Sequence, residues 1–233
     1  MSLQLVETPQ PPKQNRSSEE LEMRELVVPK LRARWPEARI VHELPLRYST
    51  NRIDLAAICP TEIISVEIKS SRDVADRLEA QLRAFVPISS RVIVALAPKW
   101  NEKLPAIMKP RRGGTAYTPQ YTPVQATIHT VGEGAIETWT VDATAKSVEV
   151  TSGGYSPNRK PWLSQMLHML HVAELEQIAM RHRISCGKKP THKYLYEECS
   201  DLMNGREIVT AVCAALRARR AFAAGSDAPI ETN

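Results

Sequence analysis

Three ionisable residues in two short apolar segments could together form a metal-dependent site. Glu67 and Lys69 alternate with apolar residues in the segment EIISVEIK (62–69), so in a strand their side chains point to the same face. Asp54 lies in the preceding segment NRIDLAAI (51–58), and antiparallel pairing of the two strands would bring it beside Glu67. Two neighbouring carboxylates repel each other unless a cation or a proton intervenes, and their oxygen atoms suit Mg²⁺ or Mn²⁺.

A divalent ion held in this way would favour hydrolysis of a phosphodiester. The ion activates a bound water and stabilises the charge that develops on phosphorus, while the Lys69 ammonium orients the nucleophile or neutralises the transition state. The alternative is an exposed cross-strand charge pair of Glu67 and Lys69, with Asp54 as an acid at a strand edge. That alternative is preferred for the Glu-x-Lys triplet alone, but the upstream aspartate and the surrounding elements favour a nuclease-type site.

The elements around these residues are predicted to place both strands in one sheet. A serine cap followed by acidic and apolar residues at helical spacing predicts a first helix over 18–34, which Pro29 should kink or end early. The three β-branched segments 39–47, 51–58 and 62–69 are separated by turn-forming residues. They predict a three-stranded meander.

The rest of the chain is predicted to complete an α/β unit and then to become helical. Apolar residues at helical spacing over 72–85 and an apolar run over 91–97 predict a helix and a strand, and this crossover implies parallel pairing. Residues 99–124, with four prolines and two glycines, predict an irregular excursion. Further predicted elements are strands over 127–131, 136–142 and 147–151, a linker over 152–161, and helices over 162–182, 191–203 and 205–222.

Residues 18–97 resemble the core of the PD-(D/E)xK nuclease superfamily. The spacing of Asp54 and the triplet Glu67-Ile68-Lys69 and the helix-meander-helix-strand order carry this resemblance. The chain is similar to RecB-like members, to archaeal Holliday-junction resolvases and to small bacterial and phage repair nucleases, although no proline precedes Asp54. The resemblance implies an α/β, restriction-endonuclease-like mixed sheet flanked by helices, here with an additional β excursion and a C-terminal helical module.

The resemblance also implies roles for individual residues. Asp54, Glu67 and Glu25 would hold the metal, and Lys69 would assist the water. Glu25 is carried over because the first-helix segment around it is similar to that of the archaeal resolvases, with Glu22, one turn earlier, as its substitute. Gln81 would join the catalytic set, because a glutamine followed by an aromatic residue, here Phe85, is similar to the helix after the lysine in RecB-like members.

Two further residues are secondary candidates near this site. Glu43, in the segment VHELPL, could enter the site from the first strand, and a solvent-facing position is equally compatible with the sequence. Arg77 lies one helical turn before Gln81 and could contact a phosphate, although surface charge on a helix is the plainer interpretation.

Positive charge is concentrated in the predicted helical module. The chain has a net charge of +5, and residues 156–220 carry eleven Lys or Arg against six Asp or Glu. Five basic residues around a predicted turn at Gly187 could bind DNA phosphates between two helices: Arg181, Arg183, Lys188, Lys189 and Lys193. A small bundle packed on the core is the slightly favoured alternative, with the apolar stripe Leu167, Leu170, Leu175 and Ile178.

These observations predict a Mg²⁺-dependent deoxyribonuclease, with Mn²⁺ as a substitute ion, in DNA repair, recombination or phage DNA processing. A non-cleaving DNA-binding or assembly protein on the same fold is one alternative, and a scaffold or inhibitor of a protein partner is another. The predicted division is a flexible arm (1–17), a core with a β excursion (18–151), a helical module (162–222) and a flexible tail (223–233). No apolar run approaches the ~20 residues of a membrane span and no secretory signal is evident, so we expect a cytoplasmic protein, with a homodimer compatible with cutting both strands.

Overall fold

The computed structural model describes residues 17–47, 49–100, 104–111, 114–120, 128, 136–152 and 160–230. In chain order its elements are α1 (Ser18–Arg34), β1 (Arg39–Pro45), β2 (Arg52–Ile58), β3 (Ile63–Lys69), α2 (Leu78–Phe85), β4 (Arg91–Leu96), β5 (Leu104–Arg111), β6 (Gly114–Gln120), β7 (Ile136–Asp142), β8 (Ser147–Ser152), α3 (Leu163–His168), α4 (Val172–Arg181), α5 (His192–Leu202) and α6 (Gly205–Ala218). Short 3₁₀ turns follow α2 and β4.

Six strands form one mixed sheet in the order β1-β2-β3-β4-β7-β8. The first three strands pair antiparallel, as the predicted meander requires. The chain then crosses over through α2, and β4 pairs parallel to β3. Strand β7 is parallel to β4, and β8 returns antiparallel beside it. The protein is therefore a mixed α/β fold in which helices flank a mixed sheet.

Helix α1 has the bounds that the sequence predicts. The Ser17 hydroxyl accepts a hydrogen bond from the Glu20 amide at 3.1 Å and so caps the first turn. The early end expected at Pro29 does not occur, since the helix continues to Arg34. Proline removes one backbone donor, which leaves the carbonyl of Glu25 without its helical partner. Both Pro29 and Glu25 are exposed, so water can bind that carbonyl.

The predictions for residues 72–85 and 99–124 need correction. Helix α2 begins only at Leu78 and not at residue 72, because the Asp73 carboxylate accepts hydrogen bonds from the amide and hydroxyl of Ser70 and holds the chain in a turn. The predicted irregular excursion contains a two-stranded antiparallel sheet of β5 and β6. Prolines are tolerated there because both strands of a two-stranded sheet are edge strands. The strand predicted over 127–131 lies outside the described residues, except for Ile128, which is helical.

The C-terminal part is helical as predicted, with different bounds. The helix expected over 162–182 is two helices, α3 and α4, because Glu174 accepts a hydrogen bond from the His171 amide and starts a new helix there. Helix α5 agrees with the prediction, but α6 ends at Ala218 and not at residue 222. The chain then returns to the edge strand β1, where the Asp227 amide donates to the Ile40 carbonyl at 2.8 Å. This return covers the open edge of the sheet.

The sheet separates two apolar clusters. On one face, α1 packs through Met23, Val27 and Leu31. On the other face, α2 and the four C-terminal helices share a single cluster with the strands. The stripe predicted for the helical module is buried in this second cluster: Leu167, Leu170, Leu175 and Ile178. The predicted packing of the helical module on the core is therefore confirmed. Among the described residues, no helix is both long enough and apolar enough to cross a membrane.

Candidate active site

The candidate site lies where β2 and β3 separate. Their ladder ends at the pair Leu55 and Val66, and extending the register by one pair sets Asp54 opposite Glu67. At that point the Asp54 Oδ2 atom accepts a hydrogen bond from the Ile68 amide at 2.9 Å, so a side chain takes the place of the next ladder bond. A cavity of about 530 Å³ lies at this point, lined by the two strands, by α1 and α2, and by the turn between β1 and β2.

Glu67 and Lys69 lie together on the sheet face that meets α2. Ile64, Val66 and Ile68 pack towards α1, so the predicted alternation along β3 is confirmed. The Lys69 Nζ atom lies 2.8 Å from a Glu67 carboxylate oxygen. It also donates to the Gln81 Oε1 atom at 3.0 Å. Gln81 therefore reaches the site from α2, and the ammonium is fixed between two acceptors.

The Glu67 carboxylate is buried without full compensation. Its side chain is only 2 % exposed, and the buried Oε2 atom has no hydrogen-bond partner among the described residues. Burial raises the pKa of Glu67 well above its ordinary value, and the nearby charge of Asp54 raises it further. Contacts with Lys69 and Gln81 act in the opposite direction but do not outweigh these effects. A cation or a proton beside Oε2 would relieve this unfavourable arrangement.

Asp54 is more accessible than Glu67 and is held in place from two directions. Its side chain is 20 % exposed, and its Oδ1 atom accepts a hydrogen bond from the Arg24 guanidinium at 3.1 Å. Burial raises the pKa of Asp54 above its ordinary value, although Arg24 and the Ile68 amide lower it. Asp54 therefore presents its carboxylate to the cavity in a fixed orientation.

Sequence reasoning missed a buried arginine at this site. Arg24 is 4 % exposed and donates to Glu20 at 2.9 Å, to Glu43 at 2.8 Å and to the Asp54 carbonyl at 2.7 Å. Carboxylate oxygens of the three acids lie within 4.8 Å of one another. The spacing of Glu20 and Arg24, four residues apart on α1, was the available signal. Glu43, a secondary candidate, is buried in this cluster and also pairs with Arg52.

The first-helix carboxylate near the site is Glu20 and not the predicted Glu25. Glu25 is exposed and does not line the cavity, whereas Glu20 does. Glu22, the predicted substitute, does not line the cavity either. Its carboxylate forms an ion pair with the Lys146 ammonium, with an N–O distance of 3.1 Å. Each residue turns the helix by about 100°, so the face that presents Arg24 and Glu20 to β2 turns Glu25 towards solvent.

Of the other predicted contact residues, only Arg77 borders this cavity. The five basic residues predicted to contact DNA are all exposed, at the end of α4 and in the chain up to the start of α5: Arg181, Arg183, Lys188, Lys189 and Lys193. Gly187 adopts the left-handed conformation, with a φ of 66°, and the chain bends at the following residues, Lys188 and Lys189. None of the five lines the cavity that holds Asp54 and Glu67.

Part of the chain is similar to a known family. Residues 13–117 match the model of a family described as bacteriophage P4 protein cII. The matched region is less than half of the chain, and it includes every residue that lines the candidate cavity. Comparison with curated proteins and with solved structures finds no match for the chain.

Proposed function

We propose that this protein is a divalent-metal-dependent DNA nuclease of the PD-(D/E)xK type, using Mg²⁺ or Mn²⁺ to hydrolyse phosphodiester bonds. The buried, unpartnered Oε2 atom of Glu67, beside Asp54 and next to Lys69, is the observation that carries the proposal. Carboxylate oxygens that are only partly compensated fit these hard cations. The order of α1, the meander, α2 and β4 supports a restriction-endonuclease-like core.

A comparison within the sheet supports a functional interpretation of Glu67. Glu137 on β7 is equally buried, but its carboxylate is bound by Arg34, Arg91 and the Trp139 indole. Buried charges are ordinarily saturated in this way. Glu67 departs from the pattern, and its burial beside Lys69 also argues against an exposed cross-strand charge pair.

The proposed roles follow from position. Asp54 and Glu67 would hold the ion, which when bound supplies an activated water and stabilises charge on the phosphate. Lys69 holds its ammonium at the cavity, where it can orient that water or neutralise the phosphate. Gln81 positions Lys69 through their hydrogen bond, and Arg24 positions Asp54. Arg77, at the border of the cavity, is placed to contact a phosphate of the substrate.

The proposed biological setting comes from the family match. Similarity to a bacteriophage protein family favours phage DNA processing over the other two settings, DNA repair and recombination. Cutting both strands of a duplex would take two sites, and a homodimer would supply them.

The test is cleavage of labelled linear duplex, single-stranded, flapped and four-way-junction DNA with Mg²⁺ or Mn²⁺. We expect the wild type to cut at least one form, and Lys69→Ala and Glu67→Ala to abolish cutting. The substitutions Lys146→Ala and Glu79→Ala, at exposed residues that do not line the cavity, serve as matched controls and should cut normally. Equal cutting by every variant would indicate a contaminating nuclease. Intact DNA binding without cutting by the wild type would support the non-cleaving alternative.

A further inference from the structure

A second cavity, of about 740 Å³, lies between α4 and α6. Pro60, in the turn between β2 and β3, forms one of its borders. That turn is at the opposite end of β2 from Asp54, six residues away, or about 20 Å along an extended strand. We call this cavity the arginine groove. It is remote from the candidate active site and is available for a separate function.

Five arginines line the arginine groove, and two of them are already bound. Arg219 donates to the Glu174 carboxylate at 2.6 and 2.7 Å, and Arg217 donates to the Glu37 carbonyl at 3.0 Å. The other three are exposed and form no ion pair with any described residue: Arg181, Arg206 and Arg220. These three guanidinium groups can therefore bind an anionic partner.

The acids of the arginine groove do not neutralise this charge. Glu174 is engaged by Arg219 and by the His171 amide at the start of α4. Glu207 accepts a hydrogen bond from the Asn204 amide at 2.8 Å and so caps the start of α6. The Nε atom of Arg217 is buried and has no hydrogen-bond partner among the described residues. The groove thus has an excess of unsatisfied donors and positive charge.

The floor of the arginine groove is made of small apolar side chains. Ala211, Ala214, Ala215 and Ala218 follow one another along α6 at helical spacing, and Ile178 of α4 adds to this floor. The residues of α6 that line the groove, from 206 to 218, extend for about 18 Å, which is a little over three helical turns. Small side chains allow another helix to approach closely. The described lining contains no tryptophan, tyrosine or phenylalanine on which a nucleic acid base could stack.

We propose that the arginine groove binds an acidic amphipathic helix of a protein partner. The apolar face of that helix would cover the alanine floor, and its carboxylates would pair with the guanidinium groups of Arg181, Arg206 and Arg220. Arginine forks bind carboxylates with two parallel hydrogen bonds. DNA phosphates would satisfy the charge but would leave the apolar floor uncovered. This proposal does not depend on the proposed nuclease activity.

The test is selection from a displayed library of helical peptides about 15 residues long, using the full chain as target. We expect enrichment of peptides with acidic residues flanking an apolar face at i, i+3 and i+4 spacing. These peptides should bind the double variant Arg206→Glu/Arg220→Glu at least about tenfold more weakly, because two guanidinium contacts become repulsive. The variant Lys188→Glu/Lys189→Glu makes the same charge change on exposed residues outside the groove and should bind as the wild type does.

Three results would overturn the proposal. One is the absence of any enriched peptide of this character. Another is equal binding of the enriched peptides to the wild type and to Arg206→Glu/Arg220→Glu. The third comes from a single-stranded oligonucleotide of about 20 thymidines, tested by fluorescence anisotropy without added metal. Loss of its binding in the Arg206→Glu/Arg220→Glu variant alone would identify the groove as a nucleic acid surface.

Discussion

Replacing Glu67 by glutamine should make the metal-free protein more stable while removing its response to metal. The substitution keeps the shape of the side chain and an oxygen for Lys69, and it removes a buried charge that faces Asp54. The unpartnered Oε2 atom becomes an uncharged amide nitrogen, which is no longer repelled by the nearby Asp54 carboxylate. Leaving a buried polar atom unsatisfied costs about 1–3 kcal/mol. The Lys69 ammonium loses its counter-charge, but it keeps two oxygen acceptors, one from Gln81 and one from the new amide. After allowing for this loss, we expect a gain of about 1 kcal/mol, or a Tm increase of about 2–4 °C.

Glu137 provides the matched control, because it is as buried as Glu67 but its carboxylate is fully hydrogen-bonded. Both glutamates are 1 % exposed. The Glu137 carboxylate binds Arg34 and, at 2.8 Å, Arg91, and it accepts from the Trp139 indole at 2.5 Å. Glu137→Gln would leave both guanidinium groups without their counter-charge. Breaking a buried ion pair of this kind typically costs about 3–5 kcal/mol.

The assay is thermal unfolding of the wild type and both variants, in EDTA and again with Mn²⁺ or Mg²⁺. Metal should raise the Tm of the wild type, because a ligand that binds only the folded state stabilises it. Glu67→Gln should have a higher Tm in EDTA and no metal response, whereas Glu137→Gln should have a lower Tm and keep the response. The reasoning would be refuted if Glu67→Gln destabilised the protein as much as Glu137→Gln, or if it kept the full response to metal.

Three further predictions concern single contacts. Arg24→Gln should cost about 3–5 kcal/mol in urea unfolding because three acids lose the buried counter-charge that they share, and a loss below about 1 kcal/mol would contradict this. Burial favours a higher pKa for Glu137, but its hydrogen bonds from arginine and tryptophan outweigh burial and lower the pKa below the ordinary 4.5. The contribution of ionised Glu137 to the free energy of unfolding is therefore complete above pH 4.5, and it is lost as the pH falls through the lower pKa of the folded state. The free energies of unfolding of the wild type and Glu137→Gln, measured in urea, should therefore converge in acid. Gln81→Ala should slow cleavage by about tenfold to a hundredfold by freeing Lys69, with the Mn²⁺ effect on Tm unchanged.

The sequence by itself determined α1, the three-stranded meander, and the site residues that lie on its strands, Asp54, Glu67 and Lys69. Alternation along β3 places Glu67 and Lys69 on one face, because a strand has a fixed period of two residues. The serine cap fixes the start of α1, because capping is a contact between residues three apart in the chain. These features depend on neighbours in sequence, so local patterns were sufficient to predict them.

The identity of the α1 carboxylate at the site depended on which face of α1 packs against the sheet. Apolar residues occur on several sides of this helix, and Leu21, part of the apolar series in the sequence, is 45 % exposed, whereas Met23 and Val27 are fully buried. That packing turns Glu20 and not Glu25 towards β2. The helical period fixes the angles between side chains around the helix axis, but it does not fix which side of the helix faces the sheet.

Only the tertiary structure decided the contacts between residues far apart in the chain. Arg24 is surrounded by acids from three different elements, and no local pattern records that it is buried. The arginine groove is likewise lined by residues of α4 and of α6, two helices that are separated in the chain by α5. The physical reason is the same in both cases: the exposure and charge compensation of a side chain are set by the elements that pack around it, and these come from distant parts of the chain.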